Sequence, residues 1–433
     1  MAILIPCRLP CRSEEDQSQS HSDYLVNSES SASSSLSSQP SLPSVHSLTP
    51  SPDQQHGQQS SPSTHHHCLA TFKAHSSYVS SLVVAGKFIY TGSSNSEIRA
   101  WSRDPSQLKN NSAVDNLVAV SESAVKSLVV LGDTLFSAHQ DHKIRVWNKI
   151  EHHVSNPTQP QKFKCIATLP TVNDRISRFF WAKNYVEVRR HKKITWVHHV
   201  DAVSALAVSK DGSLLYSASW DRTFKVWRTS DFKCLESVSK AHDDAINAIE
   251  LSEDGYVYTG SADKKIKVWK KKFDGDKKHC LVSTLEKHKS AVNALALSSD
   301  GSALYSGACD RSILVWEKDG ENDSMMVVVG ALRGHTKAIL CLAVVEDLLL
   351  SGSADCSVRI WRRGIDRRFC CLGVLEGYRR PVKCLTVTVD CSYRQRNDDS
   401  AGSCYLLYSG SLDGEVKVWK IWIANNFLSC FSS

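Results

Sequence analysis

Two stretches of the sequence decide the fold: YSASWDRTFKVW at residues 216–227 and YTGSADKKIKVW at residues 258–269. Each has the pattern of two short apolar strands joined by a tight turn at an aspartate. The closing tryptophans of the two stretches are 42 residues apart. Self-similarity at this period is typical of repeat proteins with about 40–45 residues and four strands per unit.

The same unit occurs seven times between residues 68 and 423, and each copy ends in a tryptophan. These tryptophans are Trp101, Trp147, Trp227, Trp269, Trp316, Trp361 and Trp419. The 80-residue step from Trp147 to Trp227 holds only one further strand pair of this type, so it contains one unit plus an insertion at residues 171–196. A second insertion is predicted within unit seven, at residues 389–404.

Four polar positions keep a constant register within the unit. An Asp or Asn lies six residues before each tryptophan, a Ser or Thr lies ten before it, and a His precedes the first apolar strand. Ser121 and Tyr378 hold the place of this His in units two and seven. We expect a buried chain of hydrogen bonds from Asp to His, from His to the hydroxyl, and from the hydroxyl to the indole N–H. Units three to six carry complete tetrads: His199, Ser217, Asp221, Trp227; His242, Thr259, Asp263, Trp269; His288, Ser306, Asp310, Trp316; and His335, Ser351, Asp355, Trp361.

This arrangement resembles the WD40 repeat family over residues 68–423. The resemblance implies an all-β fold, a seven-bladed WD40 β-propeller in which each blade is a four-stranded antiparallel sheet. The chain departs from the family pattern, because no closing tryptophan is followed by Asp and the Gly-His pair is intact only at Gly334-His335. Residues 184–204 are in addition similar to the plant JINGUBANG-like WD40 group, which implies a role in pollen germination and tube growth.

The ends of the chain differ in composition from the repeats. Residues 1–67 are rich in Ser, Gln and Pro and predict a disordered tail, and residues 424–433 form a short second tail. Residues 68–72 have the pattern of a strand without a partner, so we expect them to become the outer strand of the last blade and to close the ring. Thr49, Ser51 and Ser61 each precede a proline and are hypothesised to be phosphorylated.

Composition excludes several classes of protein. The apolar start of the chain is only five residues long, short for a signal peptide or a membrane span, so we expect neither. Fifteen cysteines without a repeated pair spacing argue for reduced thiols and a location in the cytosol or nucleus. Near-copies of one His–Ser–Asp set in successive units are a structural pattern, so we predict no catalytic residue, no cofactor and no metal site. We expect a monomer.

The insertion at residues 171–196 combines cations with aromatic residues. Its aromatic run is Phe179, Phe180 and Trp181, and its basic cluster is Arg189, Arg190, Lys192 and Lys193. The segment either packs on neighbouring blades, docks an acidic protein segment, or binds nucleic acid through phosphate contacts and base stacking.

Geometry places the insertion on one face of the ring. It precedes the innermost strand of unit three, and in a meander this connection shares a face with the turn between the second and third strands. Trp220 lies in such a turn, and we expect it either to be an exposed hot spot or to be covered by the insertion. Further candidate partner-binding residues on this face are Tyr78, Lys289, Lys337, Arg379 and Arg380.

These observations predict a non-catalytic scaffold that mediates protein–protein interactions. One alternative is a substrate receptor of a ubiquitin ligase, a use that many WD40 proteins share and that goes with an acidic residue after the tryptophan and Arg two positions further. Only Glu317 follows a closing tryptophan, and Asp319 stands where Arg is expected, so this motif is absent. The other alternative is a propeller that binds nucleic acid, whose affinity would fall steeply with salt.

Overall fold

A computed structural model describes residues 45–49, 64–104, 116–150, 161–179, 185–189, 192–271, 278–319, 322–364, 368–390 and 402–424. These residues form seven four-stranded antiparallel sheets. The first strand of each sheet contacts the first strand of its neighbours, including the last sheet with the first, so the sheets form a closed ring. The predicted seven-bladed β-propeller is confirmed.

The first strand along the chain, β1 (Thr64–Lys73), belongs to the last blade. From the centre of the ring outward, blade one contains β2 (Val79–Ala85), β3 (Phe88–Ser93), β4 (Glu97–Ser102) and β5 (Leu117–Val120), and blade two contains β6 (Val125–Leu131), β7 (Thr134–His139), β8 (Ile144–Lys149) and β9 (Phe163–Leu169). The insertion then adds α1 (Val172–Phe179), β10 (Tyr185–Arg189) and β11 (Lys192–Thr195).

Blades three to seven follow with the same order of strands. They contain β12 (Val203–Val208), β13 (Leu214–Ser219), β14 (Phe224–Arg228) and β15 (Cys234–Val238); β16 (Ile246–Leu251), β17 (Val257–Ser261), β18 (Ile266–Lys271) and β19 (His279–Leu285); β20 (Val292–Leu297), β21 (Ala303–Ala308), β22 (Ile313–Asp319) and β23 (Asn322–Leu332); β24 (Ile339–Val345), β25 (Leu348–Ser353), β26 (Val358–Arg363) and β27 (Phe369–Leu375); and β28 (Val382–Val389), β29 (Ser403–Ser411) and β30 (Glu415–Ile423), followed outward by β1.

The hydrophobic core lies between the blades. Between blades two and three, for example, Phe136 and Val146 pack in one cluster with Val203, Leu215 and Trp227. An isolated four-stranded sheet could not bury its two faces, whereas each blade here is covered on both faces by its neighbours. The stability of each blade therefore depends on the two blades beside it.

A β-bulge recurs near the start of the innermost strand in all seven blades. In four blades the bulged residue donates a hydrogen bond to the first residue of the next innermost strand. These bonds are Ser80 Oγ to Val125 O (2.7 Å), Ser204 Oγ to Ile246 O (2.5 Å), Asn247 Nδ2 to Val292 O (2.9 Å) and Asn293 Nδ2 to Ile339 O (2.8 Å). The bulge thus frees a polar side chain to join neighbouring blades near the axis.

Ring closure follows the prediction. Strand β1 pairs antiparallel with β30, from Thr64 opposite Ile423 to Lys73 opposite Glu415. The pairing starts four residues earlier than the predicted boundary at residue 68. Three histidines, His65 to His67, conceal this part of the strand in the sequence, because β1 is an edge strand whose side chains are largely exposed.

The predicted disordered tail, residues 1–67, also includes a second stretch that contacts the propeller. Residues 45–49 lie against blades five and six, where Ser47 pairs with Ala331 in a parallel bridge and Leu48 is buried. Two apolar side chains, Val45 and Leu48, in a polar stretch gave no signal for this contact. The rest of the tail, with Ser51 and Ser61, lies outside the described residues, as do residues 425–433 and most of the predicted loop at residues 389–404.

Ten of the cysteines that the structure describes, between Cys68 and Cys404, form no disulfide. Cys309 is disulfide-bonded and departs from the expectation of reduced thiols. Burial raises the pKa of Cys341 to about 12 and holds that of Cys384 well above its usual range, so both stay protonated. The Cys384 Sγ lies 3.7 Å from the carbonyl oxygen of Val79 and joins blade seven to blade one.

Deletion of β1 tests the closure. A chain that begins at Lys73 should melt several degrees below one that begins at His65, because only the shorter chain leaves the backbone groups of β30 unpaired. Both chains lack residues 45–49, so the comparison isolates β1. Equal melting temperatures in differential scanning calorimetry would show that β1 contributes nothing to the ring.

Candidate functional site

The complete tetrad of blade three is one continuous chain of hydrogen bonds. The Trp227 indole N–H donates to Ser217 Oγ at 2.9 Å, and that hydroxyl lies 2.8 Å from His199 Nε2. His199 Nδ1 lies 2.9 Å from Asp221 Oδ2. Ser217 is fully buried, and each polar group has a partner within the chain.

Blades four, five and six repeat this geometry closely. The distances from His Nδ1 to Asp Oδ2, from His Nε2 to the hydroxyl and from the indole nitrogen to the hydroxyl are 2.9, 2.7 and 2.9 Å in blade four, 2.9, 2.7 and 2.8 Å in blade five, and 2.8, 2.8 and 2.8 Å in blade six. The structure therefore brings together all sixteen residues of the four predicted tetrads.

Each tetrad also holds a surface loop. In blade five, the Asp310 Oδ2 that meets His288 also accepts the backbone N–H of Lys289 at 2.9 Å. Asp355 holds Thr336, next to Lys337, in the same way at 3.0 Å. The tight turns and the loops that lead into the innermost strands therefore share one face of the ring, which we call the loop face.

The surroundings of the tetrad aspartates favour the ionised carboxylate. Burial opposes ionisation of the aspartates, but hydrogen bonds and the nearby His lower the pKa of Asp263 to about 2 and hold that of Asp221 well below its usual range. Burial lowers the pKa of His199, although Asp221 opposes that shift. At neutral pH the blade-three pair is therefore an ionised Asp221 carboxylate beside a neutral His199 imidazole, which is suited to a structural role.

Blade two corrects the expectation that Ser121 replaces the missing histidine. His139, two residues after Ser137, turns its ring into the vacant place, with Nε2 2.7 Å from Ser137 Oγ and Nδ1 2.9 Å from the Ser123 carbonyl oxygen. The released aspartate, Asp141, binds Arg145 at 2.7 Å. The signal was present in the sequence, because the corresponding position in the other blades is Ser or Ala.

Blade seven keeps the chain with a different order of partners. The hydroxyl of Tyr378 accepts the indole N–H of Trp419 at 2.7 Å and lies 2.6 Å from Ser409 Oγ. The hydroxyl of Tyr378 thus lies between the indole of Trp419 and the hydroxyl of Ser409, because the tyrosine side chain is longer than that of histidine.

Loss of a tetrad tryptophan tests the assignment. Trp227→Ala and Trp269→Ala should each lower the free energy of unfolding by about 3–5 kcal/mol, because each removes a large buried side chain and leaves a buried hydroxyl without its donor. Trp220→Ala is the matched control, because this half-buried residue lies outside the tetrad and should cost less. Urea titrations that rank all three variants alike would contradict the assignment.

Charge is divided unevenly over the two loop positions that follow each tetrad histidine or its replacement. The loops of blades five to seven carry Lys289, Lys337, Arg379 and Arg380, all exposed, which we call the basic crescent. The loops of blades two to four carry exposed Glu122, Asp201, Asp243 and Asp244. Sequence reasoning missed this acidic half because it collected only cations, although the same loop positions hold both sets.

Trp220 and Tyr78 are half-buried on the loop face. The Nζ of Lys126, a bulged residue of blade two, lies 5.1 Å from the centroid of the Trp220 ring. Trp220 was predicted to be either exposed or covered by the insertion. Among the described residues it is half-buried, with Lys126 of blade two beside part of its ring.

The insertion is anchored to blade three at both ends. Buried Asp174 of α1 accepts the backbone N–H of Cys234 at 2.7 Å. Buried Lys225 donates to the Trp196 carbonyl oxygen at 2.6 Å, and burial lowers the pKa of this lysine. These contacts fix the base of the insertion on the propeller, in agreement with the packing interpretation for this part.

The other side of α1 faces solvent. Val172 and Ile176, one helical turn apart, are 60% and 56% exposed. The following strands pair as a hairpin, with Arg189 opposite Lys192. Arg190, Phe180 and Trp181 lie outside the described residues, and so do the side chains of Phe179, Arg189, Lys192 and Lys193. An apolar helix surface therefore stands beside a hairpin whose sequence is basic.

Comparison with known families agrees with this geometry. The sequence pattern of the family described as WD domain, G-beta repeat matches residues 66–102, 191–228, 232–270, 279–317, 326–362 and 369–420, more than half of the chain. The chain belongs to this family, the WD40 repeats. The matched stretches leave out blade two, the blade in which His139 takes over from the loop histidine.

Curated WD40 relatives match short stretches. An uncharacterised WD repeat-containing protein of Schizosaccharomyces pombe is 33% identical over 76 residues, 17% of this chain and 14% of that protein. COMPASS component SWD3 of Saccharomyces cerevisiae is 27% identical over 88 residues, 20% of this chain and 26% of that protein. The ribosome biogenesis protein WDR12 homolog of Trichoplax adhaerens is 34% identical over 84 residues, 18% of each chain. The chain thus spans about a quarter or less of these relatives.

Two classes of site do not occur in the described part of this WD40 chain. Its helix is too short to cross a bilayer. His, Cys, Asp and Glu form no cluster of three or more, among the residues with described positions, that could hold a metal ion. Glu317, the residue considered for the ubiquitin-ligase motif, is paired with Arg363 of blade six.

A cavity of about 400 Å³ lies among the ends of the innermost strands of blades four to seven. Leu251, Leu297, Val344 and Val387 line it together with Glu250. These strands begin at the loop face, so the cavity opens at the opposite end of the ring. Burial raises the pKa of Glu250 to about 7, opposed only by the backbone N–H of Leu251.

Glu250 should make stability depend on pH. Its pKa is higher in the folded than in the unfolded chain, so the stabilisation present below the unfolded value is lost as pH rises through about 7. The loss amounts to at most about 3 kcal/mol between pH 5 and 8. Glu250→Gln should abolish that part of the dependence in urea titrations, and a variant that still follows the wild-type pH profile would contradict the placement of this carboxyl.

Proposed function

We propose that this WD40 chain is a non-catalytic scaffold that docks other proteins on the insertion beside blade three and on its loop face. The hydroxyls of Ser217, Ser306 and Ser351 are fully buried, and each is engaged by a His and a Trp. A nucleophile has to meet its substrate, so these groups suit structure rather than hydrolysis. One curated relative is by its name a component of COMPASS, which fits a role in an assembly.

The exposed apolar side of α1 carries the proposal. Val172 and Ile176 remain open to solvent, although the opposite side of the helix is tied to blade three through Asp174. Apolar side chains on a fixed helix, next to arginines, match the composition of interface hot spots. We define Val172, Ile176, Arg189, Arg190, Lys192 and Lys193 as the insertion surface.

The charge of the loop face favours an acidic partner segment. The insertion surface and the basic crescent are both basic in sequence, and the acidic loops of blades two to four lie on the same part of the ring as the insertion. A partner with an acidic stretch and apolar anchors would be steered toward the cations and repelled from the acidic half. Tyr78 and Trp220 add aromatic surface on the same face.

Charge reversal tests the proposal with the full chain. Reversing Arg189, Arg190, Lys192 and Lys193 to Glu should weaken binding of a fluorescent peptide of alternating Glu and Leu at least ten-fold, while the melting temperature stays within about 2 °C. Val172→Ser/Ile176→Ser should weaken it as well. A matched control reverses four exposed lysines away from the loop face and from the α1 anchor at Cys234: Lys87, Lys162, Lys164 and Lys278.

The remaining outcomes separate the alternatives. Retained peptide binding by the reversed chain, with a lowered melting temperature in a Phe179/Phe180/Trp181→Ala variant, would assign the insertion to packing. Tighter binding of a single-stranded oligonucleotide than of the peptide, with an affinity that falls steeply with salt, would favour the nucleic-acid alternative.

A narrower role is proposed from the resemblance of residues 184–204 to the plant JINGUBANG-like group. It assigns the scaffold to the control of pollen germination and tube growth, in the cytosol or nucleus. Phosphorylation of Thr49, Ser51 and Ser61 is likewise a proposal. The Thr49 hydroxyl lies 2.9 Å from Ser47 Oγ, so a phosphate there would break this local contact.

A further inference from the structure

A short piece of the N-terminal segment lies in a groove between blades five and six. The carbonyl oxygen of His46 accepts the Ala331 N–H at 3.0 Å, and the Leu48 N–H donates to the Ala331 carbonyl oxygen at 2.9 Å. On the other side of the segment, the Phe369 N–H donates to the Leu48 carbonyl oxygen at 3.2 Å. Residues 45–49 thus extend the edge of β23 and join it to β27.

Leu48 is the anchor of this segment. Its side chain is 9% exposed and packs in one cluster with Tyr305, Leu332, Trp361 and Phe369, from both blades. A fully buried leucine contributes about 1.5–3 kcal/mol relative to an exposed one. Main-chain hydrogen bonds together with one side-chain pocket are the means by which sheet edges recognise extended peptides.

The pocket for Leu48 exists because residue 330 is glycine. A Cβ atom at Gly330 would lie 2.4 Å from Leu48 Cγ, a distance that no packed side chain tolerates. Gly373 holds the same position on the outer strand of blade six, where a Cβ atom would meet the His66 ring of β1 at 3.3 Å. In the other blades this position carries a side chain.

Beyond Leu48, the segment is held by Val45, which packs against the cluster that contains Met326 and Ala331, and by a few hydrogen bonds. Arg333 Nη2 donates to the Val45 carbonyl oxygen at 3.1 Å, and Ser47 Oγ is bonded within the segment to the Thr49 carbonyl oxygen at 3.0 Å. Fourteen residues, 50–63, separate the segment from β1. A linker of that length gives an effective concentration in the millimolar range, enough to keep a weak ligand bound.

We propose that this groove is a docking site for an extended peptide with a leucine anchor, and that residues 45–49 are its resident ligand. Departure of the segment opens the site to a strand of the same pattern from another protein. The groove is on the flank of the ring, between outer strands, and is separate from the loop face. The outcome of a binding test at this groove is therefore independent of the function proposed above.

Binding in trans tests the proposal on the full chain. In a Leu48→Ser chain the resident segment loses its anchor, so a fluorescein-labelled peptide of residues 43–52 should bind at least ten-fold more tightly than it does to wild type. The same peptide with Leu48→Ser should not bind to either chain. Gly330→Ala added to the Leu48→Ser chain should abolish binding, whereas Gly373→Ala should leave it intact.

A second measurement protects the test against misfolding of the Gly330 variant. Hydrogen exchange of wild type, followed by mass spectrometry, should show slow exchange for the amides of Leu48 and Ala331, and Leu48→Ser should release both. Rapid exchange of Leu48 in wild type, or equal peptide affinity of wild type and the Leu48→Ser chain, would overturn the proposal. So would binding that survives Gly330→Ala in a chain with an unchanged melting temperature.

Discussion

The hydrogen bond from a blade tryptophan to a buried hydroxyl is the interaction on which the loop face depends. In blade five, Trp316 donates to Ser306, which meets His288, which meets Asp310. The last carboxylate then holds the backbone of the exposed loop at Lys289. Surface cations are therefore positioned by a chain that begins in the core. Its Trp, Ser and His members are buried, so a break among them leaves a buried polar group without a partner.

Repetition made much of this architecture predictable. A pattern that recurs seven times reports which positions are structural, and the constant spacing of Asp221 and Trp227 in one unit is reinforced by every other unit. The closing strand was predictable because the strand count left residues 68–72 without a partner. The pattern marked His139 as a departure from the Ser or Ala of the other units, but it did not show that the ring of His139 takes the place of the loop histidine beside Ser137.

Contacts between single residues that are far apart in the sequence were harder to predict than features that recur in every unit. The bulge in the innermost strands follows from blade packing, and the contact of Leu48 with Gly330 joins residues that are far apart in the sequence. The side chains at the tip of the insertion lie outside the described residues, so Arg190 and its neighbours remain predictions. Long-range contacts of single residues carry no periodic signal that composition or spacing could reveal.

The pairing of β1 with β30 has a consequence for how the ring is made. Synthesis produces β1 first and β30 last, so β1 waits without a partner until nearly the whole chain has left the ribosome. Contacts of such large sequence separation are slow to form. A strand that begins Thr-His-His-His and ends in Lys73 is well suited to this delay, because its polar side chains discourage edge-to-edge association with other nascent chains. The histidines that hid residues 64–67 from sequence analysis also disfavour association of this strand before the ring closes.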